Sequence, residues 1–194
     1  MRERDDWVRN VASAGDALYA AFSGILVRYE VDGRVLEARW RTRRDYPIES
    51  AQPVVGEELI DVPLYAPGRD DGAVLVAEPS GEDRTEIELD YNPLQLTTTE
   101  DGPVVVPSAT IGAGLRAIRP DGGRRWTADV SGHASAISAN GTVYAGNPLI
   151  ALDSESGERL WERNVVGVGG VVRLAAADST LYVATHDRVV AFRE

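Results

Sequence analysis

The sequence predicts an all-β protein built from repeated four-stranded antiparallel units. Three observations lead to this class. A tryptophan-centred motif recurs along the chain, and turn dipeptides such as Asn-Gly separate short apolar runs. No apolar run approaches the ~18 residues that predict a membrane-spanning helix. With 194 residues, of which 43% are hydrophobic, the chain is long and apolar enough to bury a core.

The clearest repeat lies between residues 7–11 and 161–165, which read Trp-Val-Arg-Asn-Val and Trp-Glu-Arg-Asn-Val and agree at four of five positions. Trp126 begins a segment of the same form, and Trp40 follows a similar lead-in. In the long gap between them, Ile87 takes the tryptophan position. These landmarks recur every 33–47 residues, a period typical of repeat architectures.

The copy that ends at Trp161 predicts a four-stranded meander. Its first two strands flank Asn140-Gly141, the strongest short hairpin signal, because both central residues of a type I′ turn need a positive φ. A second turn at 153–157 precedes the fourth strand. The first three strands are expected at 134–137, 142–145 and 149–152.

The other copies show the same order of apolar runs and turns. In the first, the turn Asp32-Gly33 precedes Trp40, and in the third a turn at 121–123 precedes Trp126. Further strands are expected at 17–19, 25–29, 104–106, 115–118, 178–183 and 188–192. In the second copy the segment 85–90 stands in the fourth-strand position.

Radially repeated four-stranded sheets form β-propellers, commonly of 4–8 blades. We therefore expect one domain over residues 1–194, a monomeric propeller of about five four-stranded antiparallel blades. The last copy supplies three strands, so we expect an N-terminal strand at 5–12 to complete the blade at 168–194. This closure would pair two otherwise exposed sheet edges.

The residues at 140–146 and 149–161 resemble the quinoprotein-type (PQQ-like) β-propeller repeat, whose blades are also WD40-like. The resemblance covers nearly the whole chain, strongly at 134–192 and weakly at 50–90, and it is specific for architecture rather than function. It implies that four tryptophans dock between neighbouring blades, namely Trp7, Trp40, Trp126 and Trp161. Such docking predicts a loss of ~3–5 kcal/mol for Trp161→Ala.

Enzymes of the quinoprotein family resemble one another in a vicinal disulfide, acidic and Asn ligands to calcium, and usually eight blades. This chain has no Cys and room for about five blades. We therefore expect a member of the non-enzymatic branch, without cofactor or metal. A quinone-dependent or other enzyme on the same scaffold, and a fragment of a larger propeller, are the alternatives.

The charge of the chain limits its partners. It carries 31 acidic and 20 basic residues, a net charge of −11, and every basic residue is Arg. This balance argues against binding to nucleic acid, which needs a basic face. An acidic, lysine-free composition resembles halophilic proteins, in which ~1 M salt screens charges beyond ~3 Å; GC-rich codon usage is the alternative explanation. No signal peptide is visible, which predicts a cytoplasmic protein unless the N-terminus is incomplete.

Candidate ligand contacts lie in the connections that follow the landmark residues. Four arginines between 39 and 44 either pair with acidic side chains in a solvated loop or contact an anion, since a guanidinium matches carboxylates bidentately. Aromatic residues at equivalent places are suited to anchor a partner. We expect a protein or small-molecule ligand to contact Arg43, Arg44, Tyr46, Tyr91 and His133.

Other polar groups are expected to be structural. The acidic segment at 153–158 could hold calcium but coincides with an ordinary turn of the repeat. The only histidines, His133 and His186, fall in predicted connections. No nucleophile elbow or phosphate-binding loop is present. The sequence therefore favours a non-catalytic scaffold that binds through its loop face.

Overall fold

The protein is all-β in the computed structural model, as predicted. The described residues are 8, 10–22, 25–43, 52–56, 59–65, 70–82, 84–107, 114–130, 135–165, 170–171 and 173–193. They form nineteen strands in five antiparallel sheets, with no helix among them. Within these ranges there is accordingly no helix long and apolar enough to cross a membrane.

Residues 1–94 form one compact unit with two four-stranded sheets, in each of which the strands pair in chain order. The first sheet comprises β1 (Asn10–Ala14), β2 (Ala17–Phe22), β3 (Ile25–Asp32) and β4 (Val35–Arg43). The second comprises β5 (Val54–Val55), β6 (Ile60–Tyr65), β7 (Gly72–Ala77) and β8 (Arg84–Leu89).

Residues 95–194 form the other unit, and β9 begins just before its boundary. The third sheet comprises β9 (Pro93–Thr99), β10 (Gly102–Pro107), β11 (Leu115–Ile118) and β12 (Arg124–Ala128). The fourth comprises β13 (Ala136–Ala139), β14 (Thr142–Ala145), β15 (Leu149–Asp153) and β16 (Arg159–Arg163). The fifth contains β17 (Arg173–Ala177), β18 (Thr180–Ala184) and β19 (Val189–Arg193).

The hairpin between β13 and β14 forms as its sequence predicts. Asn140 has φ 50° and Gly141 has φ 72°, the left-handed pair that a type I′ turn requires. Ala139 pairs with Thr142 directly across this turn. The predicted four-stranded meander of this copy is confirmed, with its first strand at 136–139 instead of 134–137.

The N-terminal strand is only partly described. Residues 10–12, the end of the strand expected at 5–12, lie in β1 and pair with Tyr19, Ala20 and Ala21 of β2. That end of the expected strand therefore belongs to the first sheet. Residues 1–7 and 9 lie outside the described residues, so the completion of the sheet at 168–194 stays a prediction.

Each unit has its own apolar core, built from the alternate residues of neighbouring sheets. In the first unit, Tyr19 and Leu26 of one sheet pack with Ile60 and Leu75 of the next. In the second unit the third and fourth sheets share one cluster, which includes Trp126, and the fourth and fifth sheets share another. Successive side chains of a strand point to opposite faces of its sheet. A strand of the fourth sheet, which packs against the third and the fifth sheets, can therefore be buried on both faces.

Candidate functional site

Trp126 lies on β12 and contacts the turn between β15 and β16 of the following sheet. Its indole Nε1 donates a hydrogen bond to the carbonyl oxygen of Ser154 at 3.0 Å. Gly157 lies so close to the ring that a Cβ there would stand 2.6 Å from it. Arg125 strengthens the contact, because its Nη2 donates to the same carbonyl at 2.8 Å and to Asp101 at 2.7 Å. The indole is 7% exposed and belongs to the core.

Trp40, on β4, makes the corresponding contact within the first unit. Its Nε1 donates to the carbonyl oxygen of Pro79 at 3.0 Å, in the turn between β7 and β8. A Cβ on Gly81 would stand 2.7 Å from the indole. The ring also packs on Tyr19, with centroids 6.2 Å apart. Two tryptophans of different sheets thus contact a turn glycine and a turn carbonyl of the following sheet.

Trp161 occupies the same strand position in β16 but has different surroundings. Its ring packs on Tyr144, with centroids 5.9 Å apart, and the guanidinium of Arg163 lies 5.2 Å from its centroid. It is only half-buried, and its Nε1 makes no hydrogen bond to any residue that the structure describes. Trp7, the fourth predicted docking residue, lies outside the described residues.

The acidic segment at 153–158 forms a turn held by one carboxylate. Asp153 Oδ1 accepts hydrogen bonds from the backbone N–H and the hydroxyl of Ser156, both at 2.8 Å, and from the N–H of Glu155 at 3.2 Å. The bonds from Ser156 hold the pKa of Asp153 below its ordinary value. This turn is the one that contacts Trp126. No group of three or more potential metal ligands occurs among the described side chains.

The arginine cluster is partly paired with carboxylates. Arg39 forms an ion pair with Glu30 and a second with Glu37 at 3.3 Å. The hydrogen bond with Glu30 raises the pKa of Arg39 above its ordinary value. Of the two alternatives for the arginines between 39 and 44, Arg39 therefore follows the first, pairing with acidic side chains. Arg43 ends β4, where its backbone pairs with Ile25.

The other predicted ligand contacts are mostly outside the described residues: Arg44, Tyr46 and His133. Tyr91 is described, in the connection between β8 and β9, and its side chain is only 3% exposed. A ring so deeply buried packs in the protein interior. The contact of Tyr91 with a ligand that the sequence suggests stays a prediction. The backbone carbonyl of the same residue would lie 3.2 Å from a Cβ on Gly72.

Two features were missed by the sequence reasoning. Asp61, on β6, is fully buried, although the alternation along its strand does not distinguish it from a surface residue. Pro79 and Gly81 contact Trp40 from a turn that the weak second copy gave no reason to single out. A search for glycine in every turn before a fourth strand would have found Gly81 and Gly157 together.

No family model and no curated protein matches the chain, whereas a number of solved structures match it. BamB from Moraxella catarrhalis aligns with a TM-score of 0.71 and 19% identity over 94% of this chain and 56% of that one. The WD40 domain of Toxoplasma gondii coronin aligns with a TM-score of 0.69 and 11% identity, over 96% of this chain and 55% of that one. YCF48 bound to D1 peptide aligns with a TM-score of 0.61 and 14% identity, over 93% of this chain and 61% of that one.

The chain spans about half the length of the solved structures that head this comparison, 56% of BamB and 47% of AztD from Citrobacter koseri. The three proteins compared above are β-propellers. Their likeness, together with five antiparallel sheets whose strands pair in chain order, shows that this chain has the β-propeller repeat fold.

Proposed function

We propose that the protein is a non-catalytic β-propeller scaffold that binds a protein or small-molecule ligand through one loop face. The supporting observation is the equivalent position of the candidate residues. Arg43 ends β4, the segment that contains Arg44 and Tyr46 follows it, and His133 lies between β12 and β13. Each therefore lies at the end of the fourth strand of its sheet or in the connection that follows it. In a propeller such connections open on the same face, where loops carry function more often than strands do.

The chemistry of this loop face suits an acidic or otherwise anionic ligand group. Arg43 and Arg44 are adjacent in a chain of net charge −11, and Tyr46 follows them closely. A guanidinium binds a carboxylate through two parallel hydrogen bonds, and an aromatic ring supplies contact area beside it. Peptide binding has a precedent in the fold, because YCF48 is a structural neighbour solved with a peptide.

The test is affinity capture from the native organism at its native salt concentration. Arg43→Ala with Arg44→Ala is compared with a matched double variant, Arg34→Ala with Arg84→Ala, whose exposed arginines lie near the turns at the opposite ends of their sheets. We expect the wild type and the matched variant to recover the same partner and the first double variant to lose it. No reproducible partner with the wild type, or equal recovery by both variants, would contradict the proposal.

The non-catalytic part of the proposal has its own test. The chain is mixed with pyrroloquinoline quinone and calcium, and its thermal unfolding is followed. A ligand that binds the folded state raises the midpoint by mass action, so we expect no shift at high ligand excess. A concentration-dependent rise would support the enzyme alternative instead.

Closure of the propeller also belongs to the proposal. Residues 5–9 would add a fourth strand beside β19, near Val190. Because the chain has no Cys, the pair Val8→Cys with Val190→Cys can be tested for disulfide formation without background. Rapid, monomeric cross-linking is the expected result. Failure to cross-link across neighbouring cysteine pairs as well would count against closure.

A further inference from the structure

A cavity of about 420 Å³ lies between the fourth and fifth sheets, both of them in the second unit. Trp161 and Phe192 line it with aromatic surface, and Arg163 with a cationic group. The turn Asp178-Ser179, between β17 and β18, forms another wall. The cavity is thus bounded by groups that recognise both apolar and polar parts of a ligand.

The contact made by Trp126 indicates what this cavity could hold. Trp126 and Trp161 are each the third residue of the fourth strand in their sheets. Trp126 is covered by Gly157 and donates its Nε1–H to Ser154. Over Trp161, the described residues place neither a turn glycine nor an acceptor for Nε1. The indole borders the cavity instead.

The wall opposite Trp161 also corresponds to a turn-binding surface. In the fourth sheet, the N–H of Ser154 donates to the carbonyl of Gly141 at 2.9 Å, so the turn is anchored on the preceding hairpin. The equivalent hairpin of the fifth sheet is Asp178-Ser179, with φ 48° and 55°, close to the values at Asn140-Gly141. Ser179 is the second turn residue of its hairpin, as Gly141 is of its own, because Ala177 pairs with Thr180 as Ala139 pairs with Thr142.

Two arginines, Arg163 and Arg193, and one carboxylate, Asp178, line the cavity, so its net positive charge favours an acidic occupant. The guanidinium carbon of Arg163 lies 5.2 Å from the Trp161 centroid and 5.7 Å from the Phe192 centroid. Arg163 forms no ion pair with a carboxylate of the described residues. A guanidinium held beside two aromatic faces keeps its hydrogen-bond donors available for a carboxylate.

We propose that this cavity binds an acidic, glycine-containing β-turn of a partner protein, of the kind that residues 153–158 present to Trp126. The glycine lies on the indole of Trp161, a turn carbonyl accepts from Nε1, and an acidic side chain pairs with Arg163. This site is separate from the loop face, but it borders β19, so it is open to a partner only where closure by residues 5–9 leaves the indole of Trp161 uncovered.

The probe is a cyclised peptide with the sequence of residues 153–158, Asp-Ser-Glu-Ser-Gly-Glu, titrated into the full chain. The indole N–H resonances of the tryptophans are followed by NMR, and Trp161→Phe assigns the one that matters. We expect a saturable shift of the Trp161 resonance. A matched peptide with Ala in place of Gly should bind at least about tenfold more weakly, because its Cβ would overlap the indole as it would at Gly157.

Protein variants test the separate contacts. Trp161→Phe keeps an aromatic face but removes the donor, and its binding, measured by isothermal titration calorimetry alongside the wild type, should weaken about three- to tenfold. Arg163→Gln should weaken binding and reduce its salt dependence. Arg159→Gln is the control, because Arg159 lies on the same strand but pairs with Glu162 at 2.6 Å, and it should bind as the wild type does.

Three results would overturn the proposal. One is the absence of a saturable Trp161 shift at millimolar peptide, and another is equal binding of the Gly and Ala peptides. The third is a Trp161 resonance that shifts with protein concentration alone, which would make a second copy of the chain the occupant. Thermal unfolding midpoints of Trp161→Phe, Arg163→Gln and Arg159→Gln confirm that each variant is folded when it is tested.

Discussion

Trp126 and Trp161 stand at the same position in adjacent sheets but in different surroundings. Trp126 is 7% exposed, covered by Gly157 and hydrogen-bonded to Ser154. Trp161 is half-buried and borders a cavity. The repeat therefore determines the strand position of each tryptophan. The turn of the following sheet determines how much that tryptophan contributes to the stability of the fold. An identical motif residue does not imply an identical energetic role.

The largest expected difference between the two sites comes from removal of the ring. Trp126→Ala should lower the free energy of unfolding by about 3–5 kcal/mol, the usual cost of deleting a buried aromatic side chain. Trp161→Ala should cost less than half as much, below the value expected from the sequence, because its ring already faces the cavity. Urea denaturation of the two variants measures both. Equal losses would show that the two sites are equivalent.

A second comparison concerns the glycine that covers Trp126. Gly157→Ala introduces a Cβ 2.6 Å from the indole at φ 73°, whereas Gly141→Ala introduces one at φ 72° with nothing within 4 Å. Both variants incur the left-handed strain of about 1–2 kcal/mol. Only Gly157→Ala should add an overpacking cost of about 1–3 kcal/mol. In a Trp126→Ala background this excess should disappear; its persistence would place the clash elsewhere.

A smaller effect isolates the indole N–H. Trp126→Phe removes the hydrogen bond to Ser154. Its loss should lower the free energy of unfolding by about 0.5–1.5 kcal/mol, in addition to the loss caused by the smaller ring. Trp161→Phe should lack this component, since no described acceptor meets its Nε1. The difference between the two unfolding free energies is the quantity to measure. A comparable loss at Trp161 would reveal an acceptor among the remaining residues.

The smallest predicted effect is the pH dependence of the turn itself. The pKa of Asp153 is lowered in the folded protein, so its contribution is fully present above the ordinary carboxyl pKa of about 4. It is lost as the pH falls through the lowered folded value. Asp153→Asn should therefore unfold at lower urea than the wild type at pH 7. The difference between the two urea midpoints should disappear below pH 4. A difference that does not change with pH would exclude the charge of Asp153 as its cause.

The elements that the sequence predicted well depend on local chemistry. The strand expected at 115–118 coincides with β11, and the strand expected at 142–145 coincides with β14. Asn140-Gly141 forms the tight turn that was predicted. The turn predicted at Asp32-Gly33 is displaced by one residue to Gly33-Arg34, because Asp32 pairs with Val35 at the end of β3. Such signals need no knowledge of distant contacts, and they were sufficient to identify the repeat.

The candidate site was less predictable because it depends on neighbours that are distant in sequence. The burial of Tyr91 follows from packing in the folded unit, which its place in a connection does not reveal. The cover of Trp40 comes from Pro79 and Gly81, 39 and 41 residues later. Asp178-Ser179 adopts a left-handed turn without the glycine that usually marks one. Pattern alone cannot supply these tertiary relations.

Every strand within a sheet pairs only with the strand before or after it along the chain. Each sheet therefore closes short chain segments, for which the entropy of loop closure is small. Contact order within a sheet is correspondingly low, which favours rapid formation. Folding can thus start in several sheets independently, and a meander can form on the ribosome as soon as its own residues have emerged.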